Sequence, residues 1–276
     1  MIIKGKPIAQ VKEKILKAKI KELKSTPCLG IILIGKNPAS LIYVKLKEKK
    51  AKDLGIKIKK LEFSSKDSQK KIIEAIEKLK KNVHGLIVQL PLPAKFNPDK
   101  ILEHIPPQLD VDGFVKSSPF SPPAHQAILC LIKKALKLKK TKTKKALILA
   151  NSLVFANPLK KQLEKLGIKT TILIKPKPQS FSKFDLIISA LGKPNFLKPE
   201  MIKRGSILID FGYSRKKGKP IGDIDKKCLK KNCFLSPVPG GVGPLTVFFL
   251  LNNVYLVAKY KQKEYGQKNP GGSLRR

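Results

Sequence analysis

Short apolar runs rich in β-formers alternate with longer lysine-rich stretches of helical period, and this alternation most limits what the chain can become. The candidate strands are Leu29–Ile34, Ile56–Phe63, Gly85–Leu90, Ala146–Ala150, Thr170–Ile174, Leu186–Ala190 and Ser206–Phe211. Helical periodicity falls near 7–25, 38–54, 68–81, 123–140, 158–166 and 244–262. Strand–helix alternation of this kind predicts parallel α/β sheets, because parallel neighbours need a crossover helix. Uninterrupted strands such as GIILI and LIISA read as buried on both faces.

A Pro- and Ser-rich stretch, GFVKSSPFSPP at 113–123, interrupts the pattern and reads as a linker. A second domain follows it. Its first half has the strand–loop–helix–strand order of a nucleotide-binding fold. The expected division is a first domain over 1–118, joined by the last helix at about 247–262, and a second domain over 119–246. Residues 263–276, with Gly266, Pro270, Gly271 and Gly272, read as a flexible tail.

With 276 residues and 42% apolar composition, the chain can bury a core in each of two domains. No apolar run reaches the roughly 18 residues that would span a bilayer, and the N-terminus lacks a signal-peptide core. The expected location is the cytoplasm, with no membrane partner. Cys28, Cys130, Cys228 and Cys233 form no CxxC pair, and His84, His104 and His125 stand at no metal-ligand spacing with them. Reduced thiols and no metal are expected. The net charge of +40 raises a nucleic-acid partner. Arginine, however, occurs only at Arg204, Arg215, Arg275 and Arg276, and the lysines are spread over every segment without interleaved aromatics. Non-specific binding to polyanions at low salt is the expectation that charge supports.

Four local constellations can carry chemistry. In NPASLIYVKLKEKKAKDLGI, Asn37 suits a helix N-cap, Pro38 the first helical position and Gly55 the end. Tyr43 and Lys47 then share one helix face. That spacing alone does not separate a proton-transfer lysine from a solvated one. In GLIVQLPLP a buried strand delivers Gln89 at its carboxyl end, where α/β sheets bind ligands. An amide there can hold an amine or a substrate carbonyl, or simply cap the strand. In LDVDGF, Asp110 and Asp112 precede Gly113. They read either as turn formers or as a carboxylate that binds a paired donor edge. In SPVPGGVGPLTVFFLL, Gly240, Gly241 and Gly243 let backbone approach a ligand, and the loop opens a helix.

Taken in order, these motifs resemble the bifunctional methylenetetrahydrofolate dehydrogenase/methenyltetrahydrofolate cyclohydrolase family. ALGKPNF (Ala190–Phe196), ILIDFG (Ile207–Gly212) and GDID (Gly222–Asp225) extend the match over nearly the whole chain. The resemblance implies two α/β domains around a cleft, the second Rossmann-like, with the last helix packing back on the first. It implies a folate substrate, an NADP cofactor and a homodimer. By the same resemblance, Lys47 corresponds to the catalytic lysine, Tyr43 to the tyrosine that stacks on folate, Gln89 to the residue positioning the lysine, and Asp112 to the pterin anchor. Leu90, Pro239, Gly240 and Gly241 are implied to line the folate site. Ala150, Asn151, Ser152, Lys175, Gly192, Tyr213, Gly243 and Thr246 are implied to contact the cofactor.

The cofactor half departs from the family. Where the family has Gly-Arg-Ser-x-x-Val-Gly-x-Pro, this chain has ANSLVFANP, Ala150 to Pro158. Both glycines, the arginine and the valine are replaced, and an added methyl or ring obstructs the approach of backbone to pyrophosphate. Lys175 and Lys177 can restore part of the lost positive charge. Pro122-Pro123-Ala124-His125 stands in place of Pro-Cys-Thr-Pro, and Tyr213 in place of a small aliphatic residue. Three readings follow: a bifunctional enzyme with altered NADP use, a cyclohydrolase alone, or a basic nucleic-acid-binding relic of the fold.

Overall fold

The computed structural model describes residues 1–139, 142–216 and 218–268. The chain forms two compact units, each assembled from two separated segments: Gln10–Pro123 with residues from Val247 onward, and Met1–Ala9 with Ala124–Thr246.

The first unit contains most of α1 (Gly5–Lys21), then β1 (Cys28–Ile34), α2 (Pro38–Leu54), β2 (Lys57–Phe63), α3 (Gln69–Leu79), β3 (Gly85–Val88) and α4 (Pro98–Leu102). Its strands form a three-stranded parallel sheet in the order β2-β1-β3. All seven residues of the central strand β1 are buried, as its unbroken apolar sequence requires. Each fully buried Ile or Leu there contributes on the order of 1.5–3 kcal/mol. The edge strand β2 reads KIKKLEF and is largely exposed, so its lysines discourage pairing with another strand.

The second unit contains α5 (Pro123–Leu138), β4 (Lys145–Ala150), α6 (Leu153–Glu164), β5 (Lys169–Ile174), β6 (Leu186–Ala190), β7 (Ile207–Asp210), β8 (Ser214–Lys216), β9 (Lys219–Ile221) and β10 (Phe234–Ser236). Five strands pair in parallel in the order β10-β7-β6-β4-β5, and β8 and β9 form a separate antiparallel hairpin. Strand β4 is flanked by β5 on one side and β6 on the other, so the strand order reverses at its carboxyl end. This is where open α/β sheets hold ligands. Leu147, Leu149, Ile187 and Leu208 form one core with Phe181 and Phe184.

Several sequence expectations need correction. The three short strands β8, β9 and β10 were not anticipated; at three residues each they are too brief to show a period. Helix α6 begins at Leu153 rather than 158, because the Ser152 hydroxyl accepts the Val154 N–H at 3.1 Å and starts the helix ahead of Pro158. Residues 1–9 group with the second unit, not with the first. Ile2 bridges to Leu235 in parallel, and the Ile3 N–H donates to the Leu235 carbonyl at 2.8 Å.

The last helix, α7 (Val242–Lys268), starts in the second unit and from Val247 belongs to the first. A Cβ on Gly85 would lie 2.8 Å from Val111 and 3.0 Å from Val254, so the absence of a side chain lets α7 reach the sheet. The buried Asn253 amide donates to the Val111 carbonyl at 2.9 Å. The helix continues through 263–268, part of the expected flexible tail; 269–276 lie outside the described residues. Its stretch Val242–Glu264 is long and apolar enough, by length and composition, to cross a membrane, contrary to the sequence reading. Most of that stretch is buried in the protein, with Leu250, Leu251 and Val254 at 1% exposure or less, as in the core helix of a globular fold.

Replacing Asn253 with Leu leaves the buried Val111 carbonyl without this donor. We expect a loss of about 1–3 kcal/mol in unfolding free energy, read by denaturant titration. An unchanged midpoint would contradict the packing of α7 described above.

Candidate active site and cofactor crevice

Helix α2 carries the first group of predicted residues. Asn37 caps it as its sequence suggests, with Oδ1 accepting from the N–H groups of Ala39 and Ser40 at 3.0 and 3.1 Å. Gly55 ends it in the left-handed conformation at φ 84°. The buried face includes Ser40, Val44, Lys47 and Ala51. Lys47 is therefore not one of the solvated lysines: it is only 7% exposed. Its ammonium donates to Gln89 Oε1 at 3.0 Å. Gln89, at the carboxyl end of β3, donates in turn through Nε2 to the Leu90 carbonyl at 2.7 Å. That carbonyl also accepts from Ser40 Oγ at 3.4 Å, which ties the first turn of α2 to the end of β3. Ser40 was missed as a site residue; its place in PASLIYVK, one helical turn before Tyr43, was the available signal. Tyr43 lies half-buried on α2, one turn before Lys47.

The two carboxylates of LDVDGF separate by role. Asp110 is buried, and its oxygens accept the N–H groups of Gly113 and Val115 at 3.0 and 2.7 Å, so it holds the turn. Gly113 is required there: its φ is +70° and a Cβ would fall 2.6 Å from the Phe120 carbonyl oxygen. Asp112 is the carboxylate that acts on Lys47. Burial lowers the pKa of Lys47, and the charge of Asp112 works against that shift. Burial raises the pKa of Asp112, opposed by Lys47. Together these make an amine with a weakened hold on its proton, oriented by an amide and facing a carboxylate.

The remaining predicted residues lie in the second unit. Gly240 has φ +96°, and its carbonyl accepts the N–H groups of Gly5 and Lys6 at 2.8 and 3.1 Å, capping α1. Gly241 donates to the Pro237 carbonyl at 2.8 Å and closes the Pro239–Gly241 turn. Gly243 and Thr246 occupy the first turns of α7. A cavity of about 290 Å³ opens at the carboxyl ends of β4, β6 and β7. Ala150, Asn151, Ser152, Gly192 and Tyr213 all line it, and so do Phe155 and Phe211. Lys175, Gly243 and Thr246 are not among its lining residues. Lys175 nevertheless lies beside it, with its N–H on the Ala150 carbonyl at 2.9 Å. The rim is fixed by two buried carboxylates that sequence reading left unassigned. Asp223 accepts from Ser189 Oγ at 2.8 Å and from the N–H groups of Leu191 and Lys193 at 2.7 Å. Asp210 accepts from Gly212, Asp223 and Ile224, and burial pushes its pKa up to about 7. Their signal was the ILIDFG and GDID motifs, where each glycine leaves room for the other motif's aspartate.

His125 meets the ring of Phe155 edge-on, with centroids 4.9 Å apart. It is 2% exposed, and its Nδ1 has no hydrogen-bond partner among the described residues. Burial lowers its pKa to about 4, against a hydrogen bond to the Phe155 backbone. None of the four cysteines forms a disulfide, and no three metal-ligating side chains gather among the described residues. No acidic residue lines the cavity, and the 12-residue helix α6 opens beside it, with Ser152 and Phe155 among the lining residues; a helix N-terminus without opposing carboxylates suits a phosphorylated cofactor.

The catalytic-domain profile of the tetrahydrofolate dehydrogenase/cyclohydrolase family matches residues 3–112, and the family's NAD(P)-binding-domain profile matches residues 122–262. The chain belongs to this family. The bifunctional protein FolD of Wolbachia sp. subsp. Drosophila simulans (strain wRi) is 36% identical over 282 residues, 94% of this chain and 95% of that protein. The FolD protein of Clostridium tetani is likewise 36% identical, over 93% of this chain and 99% of its own. Among solved structures, the Campylobacter jejuni bifunctional FolD superposes with a TM-score of 0.87 at 34% identity, covering 95% of this chain and 99% of that one. The Trypanosoma brucei enzyme, solved with NADP and an inhibitor, gives 0.86 at 25% identity and covers 95% of this chain and 98% of its own.

Two measurements probe this electrostatics. Asp112→Asn removes the charge that favours the Lys47 ammonium, so the Lys47 pKa should fall further, read by NMR of reductively methylated lysines. An upward shift would contradict the opposition of these groups. His125 has a folded pKa below its unfolded value, so it stabilises above pH 6.5 and that stability is lost as the pH falls toward 4. Over that window it accounts for roughly 3 kcal/mol. Wild type should therefore lose stability more steeply than His125→Leu between pH 6.5 and 4, and parallel profiles would show an ordinary histidine.

Proposed function

We propose that this protein oxidises 5,10-methylenetetrahydrofolate to 5,10-methenyltetrahydrofolate with NADP+ and hydrolyses the product to 10-formyltetrahydrofolate. Family membership over both domain profiles supports both steps, and the buried Lys47–Gln89 hydrogen bond is the observation that carries the hydrolytic one. The methenyl carbon is a cationic, amidinium-like centre. Water adds to it as Lys47, acting as an uncharged amine, takes one water proton. The bond from that carbon to the ring nitrogen N5 then breaks, N5 takes a proton from the Lys47 ammonium, the carbinol hydroxyl loses its proton to solvent as the C=O forms, and the formyl group remains on N10, with one proton released overall. Burial of the amine brings its pKa toward the working pH, where such proton exchange is most effective. Gln89 keeps Nζ in place through a chain of bonds to the Leu90 carbonyl. In this reading Asp112 anchors the pterin, Tyr43 stacks on it, and Leu90, Pro239, Gly240 and Gly241 line the folate.

NADP+, when bound, supplies the hydride acceptor for the first step. Ala150, Asn151, Ser152, Gly192 and Tyr213 would hold it in the crevice, and Lys175 would supply positive charge at the end of β5. Gly243 and Thr246 complete the cofactor contacts carried over from the family. We place the enzyme in the cytoplasm, in keeping with cysteines that form no disulfide, and as a homodimer, by resemblance to the family. A nucleic-acid-binding relic is not favoured, because it would have no use for a buried lysine held by an amide.

Lys47→Met should lower methenyltetrahydrofolate hydrolysis by at least a hundredfold, the scale of a lost general base. NADPH absorbance in the methylenetetrahydrofolate assay should persist in that variant. Equal hydrolysis rates would remove Lys47 from the reaction, and no NADPH signal at millimolar NADP+ in wild type would leave the cyclohydrolase alone.

A further inference from the structure

The cofactor crevice differs on its two sides. In doubly wound sheets the pyrophosphate lies over the turn after the first strand, and the adenosine half runs toward the second strand. In this unit those strands are β4 and β5. On the β5 side, Lys175 follows the strand directly and no carboxylate occurs in IKPKP, residues 174–178. The other half of a dinucleotide must extend toward β6 and β7. There the rings of Phe155 and Phe211 lie parallel, 3° apart in orientation, with centroids separated by 5.3 Å. This is the separation of two rings in direct contact, so no planar ring fits between them. His125 closes the far edge of Phe155. Phe155 projects from the first turn of α6, while Phe211 follows β7, so the pair bridges the two walls of the cavity that both residues line.

We infer that the Phe155–Phe211 stack closes the nicotinamide half of the crevice, and that Phe155 must turn away before the cofactor seats fully. Phe155 is thereby a specificity-determining residue that holds the affinity for the whole cofactor below what the adenosine half provides. The inference rests on the NADP reading above.

Isothermal titration of the full-length protein with NADP+ and with adenosine 2′,5′-bisphosphate separates the two halves without reference to turnover. Phe155→Val should tighten NADP+ binding by about three- to tenfold, the range of one aromatic pair, and leave the bisphosphate within about twofold. Phe211→Val should act in the same direction, from the other ring. Unchanged NADP+ affinity in both variants, or equal tightening of the two ligands, would overturn the stack as a barrier while leaving the cofactor reading intact. Failure of either ligand to bind any of the three proteins would overturn the cofactor reading and the barrier with it.

Discussion

A lysine ammonium held out of water is the most demanding requirement in the first unit. A buried ammonium is costly unless its protons are met by acceptors and its charge is faced by an anion. Lys47 receives one acceptor from Gln89 and an opposing charge from Asp112. Meeting that requirement fixes much else. Gln89 must stop at the end of β3, where its own N–H pairs with the Ile32 carbonyl and its amide reaches Leu90. Ser40 joins α2 to the same carbonyl. Asp110 must hold the turn that offers Asp112, and Asn253 of α7 secures the residue between the two aspartates.

The second unit solves a different problem by a related device. Its crevice is framed by loops at the carboxyl ends of strands, where backbone N–H groups lack ladder partners. Asp210 and Asp223 collect those groups in series: Asp210 accepts the N–H groups of Asp223 and Ile224, and Asp223 accepts those of Leu191 and Lys193 in the loop after β6. The bonds tie these loops together, and Gly212 and Gly222 leave the room that Asp223 and Asp210 occupy. Ala150 and Phe155 are among the residues that line the crevice inside this frame.

Strand–helix alternation made the parallel sheets legible, because β1, β4 and β6 are long enough for a buried run to stand out. The strands β8, β9 and β10 were not, since three residues cannot display a period. Helical periodicity stood out only near 158–166, yet α6 starts at Leu153, where the Ser152 hydroxyl caps the turn ahead of Pro158. Lys47 illustrates the limit at the site. Its spacing from Tyr43 was visible, but burial depends on β3 and the LDVDGF turn arriving beside α2, and nothing local to the helix encodes that. The Phe155–Phe211 pair was invisible for the same reason. The two residues are remote in sequence, and only the closing of the sheet makes them neighbours.

The course of α7 has a consequence for how the chain is made. A ribosome releases residues 10–123 long before the helix that covers β3, since that helix begins at Val242. Domains ordinarily fold as units in order of synthesis. Here the first unit to emerge waits with Gly85 and Val111 uncovered until the second unit has passed through the exit tunnel. The segment 1–9 waits as well, for its partner Leu235. Each unit is thus finished by the other end of the chain, and the nascent protein has no independently complete half to release early.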